Sequence, residues 1–341
     1  MRALKLFGPH DLRVLDVPPP EPQPGHALVR VEAVTICRSD IHYFVNGRIG
    51  DTVSDKPLVL GHEFAGRVVT APSGQDRVRE GDLVAVEPAI SCGQCRYCQE
   101  GSPNLCENLL FAGTPPQDGG LQEYIVHRPE FLFPLPPHLS AEEGAMLEPL
   151  GIAMYGWDMG ATRVGETVAV VGCGPIGLLI VQLARLAGAA RILAVEPLAY
   201  RRAIAARLGA IPLEPTDDLE RVAADFTHGY GVDAAFEAAG TMAAPELAAR
   251  MLKRGGTLVL TGIPAEDELR IQHHLVRRKE VTIRLARRMK LTYPRAITLV
   301  ESDMLDVAAH ITHRYDLDQA TEAFQMVEDY ADGVIKAVVR P

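Results

Sequence analysis

The chain has 341 residues, 47% of them hydrophobic and 23% charged, and its formal net charge is −10. The length predicts about two globular domains, and the negative charge argues against nucleic-acid or anionic-membrane partners, which bind cationic surfaces. No apolar run reaches the ~18 residues of a membrane helix and the amino terminus lacks an apolar signal core, so we expect a cytoplasmic protein.

The first part of the chain, as far as residue 145, has the pattern of β-strands joined by long loops. In ALVRVEAVTI, apolar Val29 and Val31 alternate with Arg30 and Glu32, which is typical of a half-buried strand. Shorter strand-like runs follow at GRVVT and DLVAVEP, separated by Gly, Pro and Asp. This region is therefore predicted to be a β-rich domain.

From Glu166 onward, strands alternate with helices. ETVAVVG is an apolar strand, PIGLLIVQLARLAG has helical periodicity, and RILAVE is the next strand. This alternation predicts a parallel sheet with right-handed crossovers, so the fold class is α/β. After residue 284, two helices (YPRAITLVES and LDQATEAFQMVED) and a last strand (GVIKAVV) follow.

A glycine-rich turn, Gly172-x-Gly174-x-x-Gly177, lies between the first of these strands and its helix. Gly172 permits a tight turn, Gly174 lets the backbone approach a pyrophosphate, and Gly177 lets helix and strand pack closely. Pro175 and Ile176 are the first residues of the predicted helix, whose amino terminus offers free N–H groups to phosphates. The pattern predicts a dinucleotide site; a tight βα turn without a ligand is the alternative.

The next strand ends in Glu196, whose carboxylate can accept hydrogen bonds from the adenosine ribose hydroxyls and repel a 2′-phosphate. NAD is therefore predicted in preference to NADP. Arg201 and Arg202 follow, and either guanidinium could instead accept a 2′-phosphate; otherwise they form a solvated helix face. We include Arg201 among the candidate cofactor contacts.

Four cysteines, Cys92, Cys95, Cys98 and Cys106, lie within fifteen residues. Four thiolates at this spacing fit a structural Zn²⁺ with no open coordination position. Two disulfides or an iron–sulfur cluster are the alternatives. Cys173, inside the glycine-rich turn, is interpreted as a small buried residue.

A catalytic zinc needs three protein ligands and one exchangeable position. Cys37 follows a strand, His62 and Glu63 lie where a loop meets the next strand, and Glu148 precedes the α/β region. Taken singly, Cys37 could be a core residue, His62 a turn residue and Glu148 a surface carboxylate.

Six segments together resemble the zinc-containing medium-chain alcohol dehydrogenases, and in particular their sorbitol (polyol) dehydrogenase branch. They are CRSDIHYFVNGRIG, KPLVLGHEFAGRVV, CGQCRYC with Cys106, LEPLGIA, VGCGPIGLL and TYPRAI. The resemblance implies a GroES-like β-rich catalytic domain, residues 1–149 and 284–341, that holds both zinc ions. It also implies a Rossmann doubly wound NAD-binding domain at residues 150–283. A homotetramer, or else a dimer, is expected.

The resemblance also assigns roles near the open metal site. Cys37, His62 and Glu148 match the catalytic zinc ligands, and Glu63 matches a residue that can approach the metal during ligand exchange. The metal lowers the pKa of the alcohol, and hydride passes to the nicotinamide ring. In the same segment, the matching roles are a proton relay for Ser39 and His42, orientation of the histidine ligand for Asp40, and a pyrophosphate contact for Arg38.

Substrate contacts are less well matched. Tyr43 suits a polar pocket wall and Arg288 resembles a polyol-contacting arginine, but Met289 stands where sorbitol dehydrogenases have tyrosine. Because a thioether cannot donate a hydrogen bond, Met289 favours smaller or less polar secondary alcohols and diols. The alternatives are a threonine or amino-alcohol dehydrogenase and a non-catalytic zinc and NAD binder.

Overall fold

The computed structural model describes residues 1–266 and 268–341. The strands in these residues are β1 (Arg2–Gly8), β2 (Asp11–Asp16), β3 (Ala27–Thr35), β4 (Arg48–Ile49), β5 (Thr52–Val53), β6 (Leu58–Val59), β7 (Glu63–Thr70), β8 (Leu83–Val86), β9 (Ala89–Ile90), β10 (Leu110–Phe111), β11 (Tyr124–His127), β12 (Leu132–Pro134), β13 (Thr167–Val171), β14 (Arg191–Val195), β15 (Ile211–Leu213), β16 (Val232–Glu237), β17 (Leu252–Leu260), β18 (Thr282–Leu285), β19 (Ile311–Asp316) and β20 (Lys336–Arg340). The helices are α1 (Arg38–Asn46), α2 (Arg96–Gln99), α3 (Ala141–Ala145), α4 (Leu147–Gly160), α5 (Pro175–Leu186), α6 (Ala199–Arg207), α7 (Leu219–Phe226), α8 (Ala244–Met251), α9 (His273–Lys279), α10 (Tyr293–Glu301) and α11 (Ala320–Asp329).

The chain forms two compact units. The first contains Met1–Pro149 and Tyr293–Pro341, and the second contains Leu150–Thr292. The second boundary differs from the sequence prediction, which returned the chain to the first domain at residue 284. The reason is that β18 runs from Thr282 to Leu285 and pairs in parallel with β17, so residue 284 is part of the second unit's sheet.

The first unit is built on a seven-stranded sheet. Its strand order is β12-β8-β7-β3-β20-β19, and β11 also pairs with β3. Val29 and Val31 of β3 are buried and Arg30 is exposed, which is the alternation read from the sequence. The strand β20, from the end of the chain, lies between β3 and β19, so two distant parts of the sequence share one sheet.

The second unit contains a six-stranded sheet of order β15-β14-β13-β16-β17-β18, in which every pair is parallel. This is the order of a doubly wound Rossmann fold, as predicted, and the direction of winding reverses between β13 and β16. Ligands of such sheets bind at the carboxyl ends of the strands beside this reversal. The turn after β13 is therefore the expected nucleotide position in this unit.

No helix within residues 1–266 and 268–341 combines the length and apolar character that crossing a membrane requires.

Candidate functional site

The four-cysteine lobe brings its sulfur atoms together. The Sγ atoms of Cys92, Cys95, Cys98 and Cys106 all lie within 4.8 Å of one another, and every cysteine of the chain is a free thiol. The structure thus contains no disulfide at the positions where two were an alternative. Hydrogen bonds from the backbone N–H groups of Gln94 and Cys95 lower the pKa of Cys92 to about 6. Four thiols at this separation, one already biased toward thiolate, fit a tetrahedral Zn²⁺.

A second ligand group lies at the junction of β3, α1 and β7 in the first unit. Cys37 caps the amino terminus of α1, His62 immediately precedes β7, and Glu63 is the first residue of β7. One ligand atom from each of these three residues lies within 4.8 Å of the others. Sulfur, imidazole nitrogen and carboxylate oxygen are donors that zinc accepts, and three protein ligands leave one position open.

Asp40 orients this group. Its Oδ2 accepts a hydrogen bond from the Cys37 N–H at 3.0 Å, and its Oδ1 accepts one from the Gly61 N–H at 3.1 Å and lies 3.3 Å from His62 Nδ1. Burial alone would raise the pKa of Asp40, but the charge of His62 and these hydrogen bonds lower it below its ordinary value. An ionised Asp40 holds the proton on Nδ1, so a neutral His62 presents its unprotonated Nε2 to a metal.

Glu148, the predicted third ligand, is not a member of the 4.8 Å group, where Glu63 stands instead. Glu148 is 3% exposed and lies in the same charged environment, since His62, Glu63 and Lys336 all act on its titration. Burial raises its pKa to about 8. The sequence prediction made Glu148 the third ligand and gave Glu63 a role in ligand exchange. In the structure a Glu63 oxygen lies within 4.8 Å of the Cys37 and His62 ligand atoms, and Glu148 as a ligand stays a prediction.

The remaining predicted residues of α1 have different surroundings. The Ser39 hydroxyl lies 3.3 Å from His62 Nε2, which places it beside the metal group. His42 is half-buried on the same helix. Arg38 points elsewhere: its guanidinium lies 4.7 Å from the ring centre of Tyr330 and donates to the Val327 carbonyl. Tyr43 is 2% exposed and belongs to the hydrophobic core of the first unit, so its ring does not form a solvent-facing wall there.

The glycine-rich turn joins β13 to α5 as the sequence indicated. Gly172 has φ of +93°, and Gly177 packs so closely that a Cβ would lie 1.8 Å from the Gly172 carbonyl oxygen. Gly174 caps α5, and the nearest atom to a Cβ there would be Arg201 Nη1 at 3.6 Å. Pro175 and Ile176 form the first turn of α5. Two glycines thus shape the turn, and the third leaves open space at a helix amino terminus, which suits a pyrophosphate.

Glu196 lies directly after β14 and is tied to this turn. Its Oε2 accepts a hydrogen bond from the Cys173 N–H at 2.7 Å, and its Oε1 accepts one from the Leu198 N–H at 3.0 Å. Arg202 donates to the Glu196 and Pro197 carbonyls at 2.8 and 2.5 Å, so its guanidinium is committed to this loop. Arg201, by contrast, places its Nη1 3.6 Å from the position of a Cβ on Gly174, at the turn itself.

The predicted polyol contact Arg288 and its neighbour Met289 lie in the second unit, after β18. Arg288 is half-buried with φ of +60°. Met289 is 3% exposed, and its sulfur would lie 2.6 Å from a Cβ on Gly151 in α4. A thioether packed this closely against a helix contributes shape and no hydrogen-bond donor.

Two buried charged residues were missed by the sequence reasoning. Lys336 is 3% exposed, and its ammonium lies 2.8 and 2.6 Å from the two carboxylate oxygens of Glu63. Glu237 ends β16 and accepts hydrogen bonds from the N–H groups of Ala239 and Gly240 at 2.8 and 2.7 Å. Charged residues within or at the end of largely apolar strands, as in GVIKAVV and VDAAFE, were the available signal.

Comparison with known proteins identifies the family. The model of the alcohol dehydrogenase GroES-like domain matches residues 23–137, and that of the zinc-binding dehydrogenases matches residues 175–302. Sorbitol dehydrogenase of Bacillus subtilis (strain 168) is 35% identical over 344 residues, covering 100% of this chain and 97% of that protein.

Two solved structures superpose along the whole chain. One is 2R,3R-butanediol dehydrogenase from Bacillus subtilis, with a TM-score of 0.90, 32% identity and coverage of 100% of this chain and 99% of that one. The other is a candidate zinc-binding dehydrogenase from Sinorhizobium meliloti 1021 bound to NADP, with a TM-score of 0.91, 34% identity and coverage of 100% and 99%.

The chain belongs to the zinc-containing medium-chain alcohol dehydrogenase family, and it resembles the sorbitol dehydrogenase branch. It is a zinc-dependent oxidoreductase that uses a nicotinamide dinucleotide and acts on a small molecule. The four-cysteine lobe and the group of Cys37, His62 and Glu63, called the Cys37 group below, fit the zinc ions that the family implies. The open space at Gly174 fits the nicotinamide dinucleotide.

Proposed function

We propose that the protein oxidises a secondary alcohol, a vicinal diol or a short polyol reversibly to the ketone, with NAD as hydride acceptor. The first unit would supply the chemistry, and the second would hold the nucleotide. The observation that carries the proposal is the grouping of Cys37, His62 and Glu63 ligand atoms within 4.8 Å, with Glu148 buried beside them.

The residues around this group divide the work. Zinc bound there supplies Lewis acidity, which lowers the pKa of the alcohol. Asp40 keeps His62 in the tautomer that presents Nε2. The Ser39 hydroxyl, 3.3 Å from that nitrogen, is positioned to take the alcohol proton at its Oγ, and His42 on the same helix would pass the proton onward.

NAD in preference to NADP is supported by Glu196. Its carboxylate is anchored by two backbone N–H groups at the end of β14, where it opposes a 2′-phosphate by charge. Arg202 is occupied by the Glu196 and Pro197 carbonyls. Arg201 is the residue by which NADP could still bind, with lower affinity than NAD.

The substrate class is supported by two kinds of relative, a sorbitol dehydrogenase and a butanediol dehydrogenase. Met289 provides no donor for a further hydroxyl group. We therefore expect vicinal diols and simple secondary alcohols to be better substrates than six-carbon polyols.

The test combines metal analysis with a substrate panel. The wild-type protein should bind one zinc per ligand group, and Cys37→Ser should lose one zinc and nearly all turnover. Cys173→Ser, which changes a buried cysteine outside both groups, is the matched control and should keep both metals. The panel should contain 2,3-butanediol, sorbitol, a simple secondary alcohol and threonine, each with NAD and NADP. Full turnover by Cys37→Ser, or turnover with threonine alone, would refute the proposal.

We further propose a cytoplasmic homotetramer, on the ground of the family resemblance. Sedimentation equilibrium of the zinc-loaded protein tests this, and a dimer would be the simplest contrary result.

A further inference from the structure

Lys336 is a buried cation directly behind the Glu63 carboxylate. It begins β20, which pairs antiparallel with β3, and the Ile36 N–H donates to the Ala337 carbonyl at 3.0 Å. An ammonium has three N–H donors. Those of Lys336 face the Ile36 carbonyl at 3.1 Å and the Glu63 oxygens at 2.8 and 2.6 Å, so all three are used.

The contacts of Glu63 are unevenly distributed between its two oxygens. Oε2 accepts from both Lys336 and the Thr35 hydroxyl, whereas Oε1 accepts from Lys336 alone within the described residues. A carboxylate has about four lone-pair sites. Glu63 is thus held from behind through both oxygens and retains acceptor capacity on Oε1, while belonging to the same 4.8 Å group as Cys37 and His62.

Two positive partners therefore compete for one buried carboxylate. The ammonium is fixed in the sheet, and a metal held by Cys37 and His62 is the other partner. Electrostatic attraction in a buried site is strong, so neither partner can hold Glu63 without weakening its bond to the other. The Lys336 ammonium and the metal ion are both positively charged, and their repulsion also weakens metal binding.

We propose that Lys336 is a positioning residue that shares the Glu63 carboxylate with the catalytic zinc and so keeps Glu63 a weak, exchangeable ligand. This inference rests on the proposed metal role of Cys37, His62 and Glu63. Its consequence is that a coordination position can be vacated for substrate without the cost of an unpaired buried carboxylate, because Glu63 stays paired with the ammonium.

A merely structural role for Lys336 predicts the opposite sign. If the ion pair only braced the site, removing the ammonium would loosen Glu63 and speed the loss of zinc. If Lys336 competes with the metal, removing the ammonium strengthens the Glu63–zinc bond and slows the loss of zinc. The rate of zinc release to a chelator separates the two roles without reference to turnover.

The experiment uses zinc-loaded protein and a coloured zinc chelator. Lys336→Met should slow release from the Cys37 group by roughly tenfold, which is what the loss of one charge-assisted hydrogen bond corresponds to. Lys336→Arg, which keeps the charge, should stay within about threefold of wild type. With Co²⁺ in the site, the visible absorption bands should shift in Lys336→Met and stay near their wild-type positions in Lys336→Arg. The kcat of Lys336→Met should fall more than its KM changes.

A double-mutant cycle tests whether Lys336 acts through Glu63. In a Glu63→Gln background, Lys336→Met should slow zinc release clearly less than it does in the wild-type background, because the shared carboxylate is gone and only the direct repulsion between ammonium and metal remains. An equal effect in both backgrounds, or faster release from Lys336→Met, would overturn the proposal. Lys336→Gln retains an uncharged N–H donor and should slow zinc release less than Lys336→Met does. Failure of both variants to fold would make Lys336 a structural residue and would also overturn the proposal.

Cys37→Ser separates this inference from the proposed function. If that variant keeps its full complement of zinc, the metal site itself is wrongly assigned. If it loses one zinc and Lys336→Met shows no slower release, the metal site is supported and the role of Lys336 alone is refuted.

Discussion

His127 should make the first unit sensitive to acid. It ends β11, is 2% exposed, and its Nδ1 lies 3.4 Å from the Arg128 carbonyl. Burial lowers its pKa from 6.5 to about 4. The folded protein therefore binds the proton less readily than the unfolded chain, so this contribution to stability is present above about pH 6.5 and is lost as the pH falls toward 4.

The size of the effect follows from the displacement of the pKa. A shift from 6.5 to about 4, at about 1.4 kcal/mol per unit, corresponds to about 3.5 kcal/mol in total. About 2 kcal/mol of this stabilisation should be lost between about pH 8 and about pH 5.

The assay is urea unfolding followed by circular dichroism at those two pH values. His127→Asn keeps a donor near the Arg128 carbonyl but does not titrate, so its stability should fall about 2 kcal/mol less than that of wild type over the interval. The exposed His138 provides the control His138→Asn, which should behave as wild type. The quantity compared is the change in the free energy of unfolding between the two pH values in each protein. Any loss of stability that comes from the smaller asparagine side chain is the same at both pH values and cancels. An identical pH dependence in His127→Asn and wild type would refute the reasoning.

The remaining predictions concern the metal and nucleotide sites. Gly174→Ala should keep a nearly unchanged melting temperature, because its Cβ would lie 3.6 Å from Arg201 Nη1, an ordinary contact. The same Cβ would occupy the space through which the backbone approaches the pyrophosphate, so the KM for NAD should rise severalfold, and an unchanged KM would contradict this. Gly177→Ala, whose Cβ would lie 1.8 Å from a backbone oxygen, should instead lower the melting temperature markedly, which calorimetry can measure. Cys98→Ser should lose the zinc of the lobe and much of the heat stability, and retention of both metals on elemental analysis would count against a structural zinc there. Glu196→Gln should lower the ratio of kcat/KM for NAD over NADP by roughly tenfold, and a ratio equal to that of wild type would remove Glu196 from the cofactor assignment.

Local patterns predicted much of the architecture because their physical cause is local. The alternation in β3 places its apolar residues inside, and the glycines of the turn after β13 occupy positions where a Cβ would collide or a positive φ is needed. The spacing of the four cysteines restricts them to one short loop, so their proximity could be read from the chain. The α/β alternation likewise predicted the parallel sheet.

Features set by strand pairing were not predictable in the same way. Glu63 reaches Cys37 because Thr35 and Glu63 are directly paired between β3 and β7, and no spacing rule distinguished it from Glu148. Lys336 reaches Glu63 because β20 pairs with β3. Arg38 was assigned to a cofactor, yet its side chain is held at the carboxyl end of α11, which lies far away in sequence. That the cofactor can recruit Arg38 stays a prediction.

The position of β20 has a consequence for the order in which the protein is assembled. The second unit is one continuous stretch, Leu150–Thr292, and can fold as soon as it leaves the ribosome. The first unit cannot complete its sheet until β20, between β3 and β19, has been synthesised. Its amino-terminal strands therefore wait with an open sheet edge throughout translation of the second unit. The group of Cys37, His62 and Glu63 gains its buried Lys336 only once β20 has been synthesised, so this candidate metal site is expected to mature after the second unit has been made.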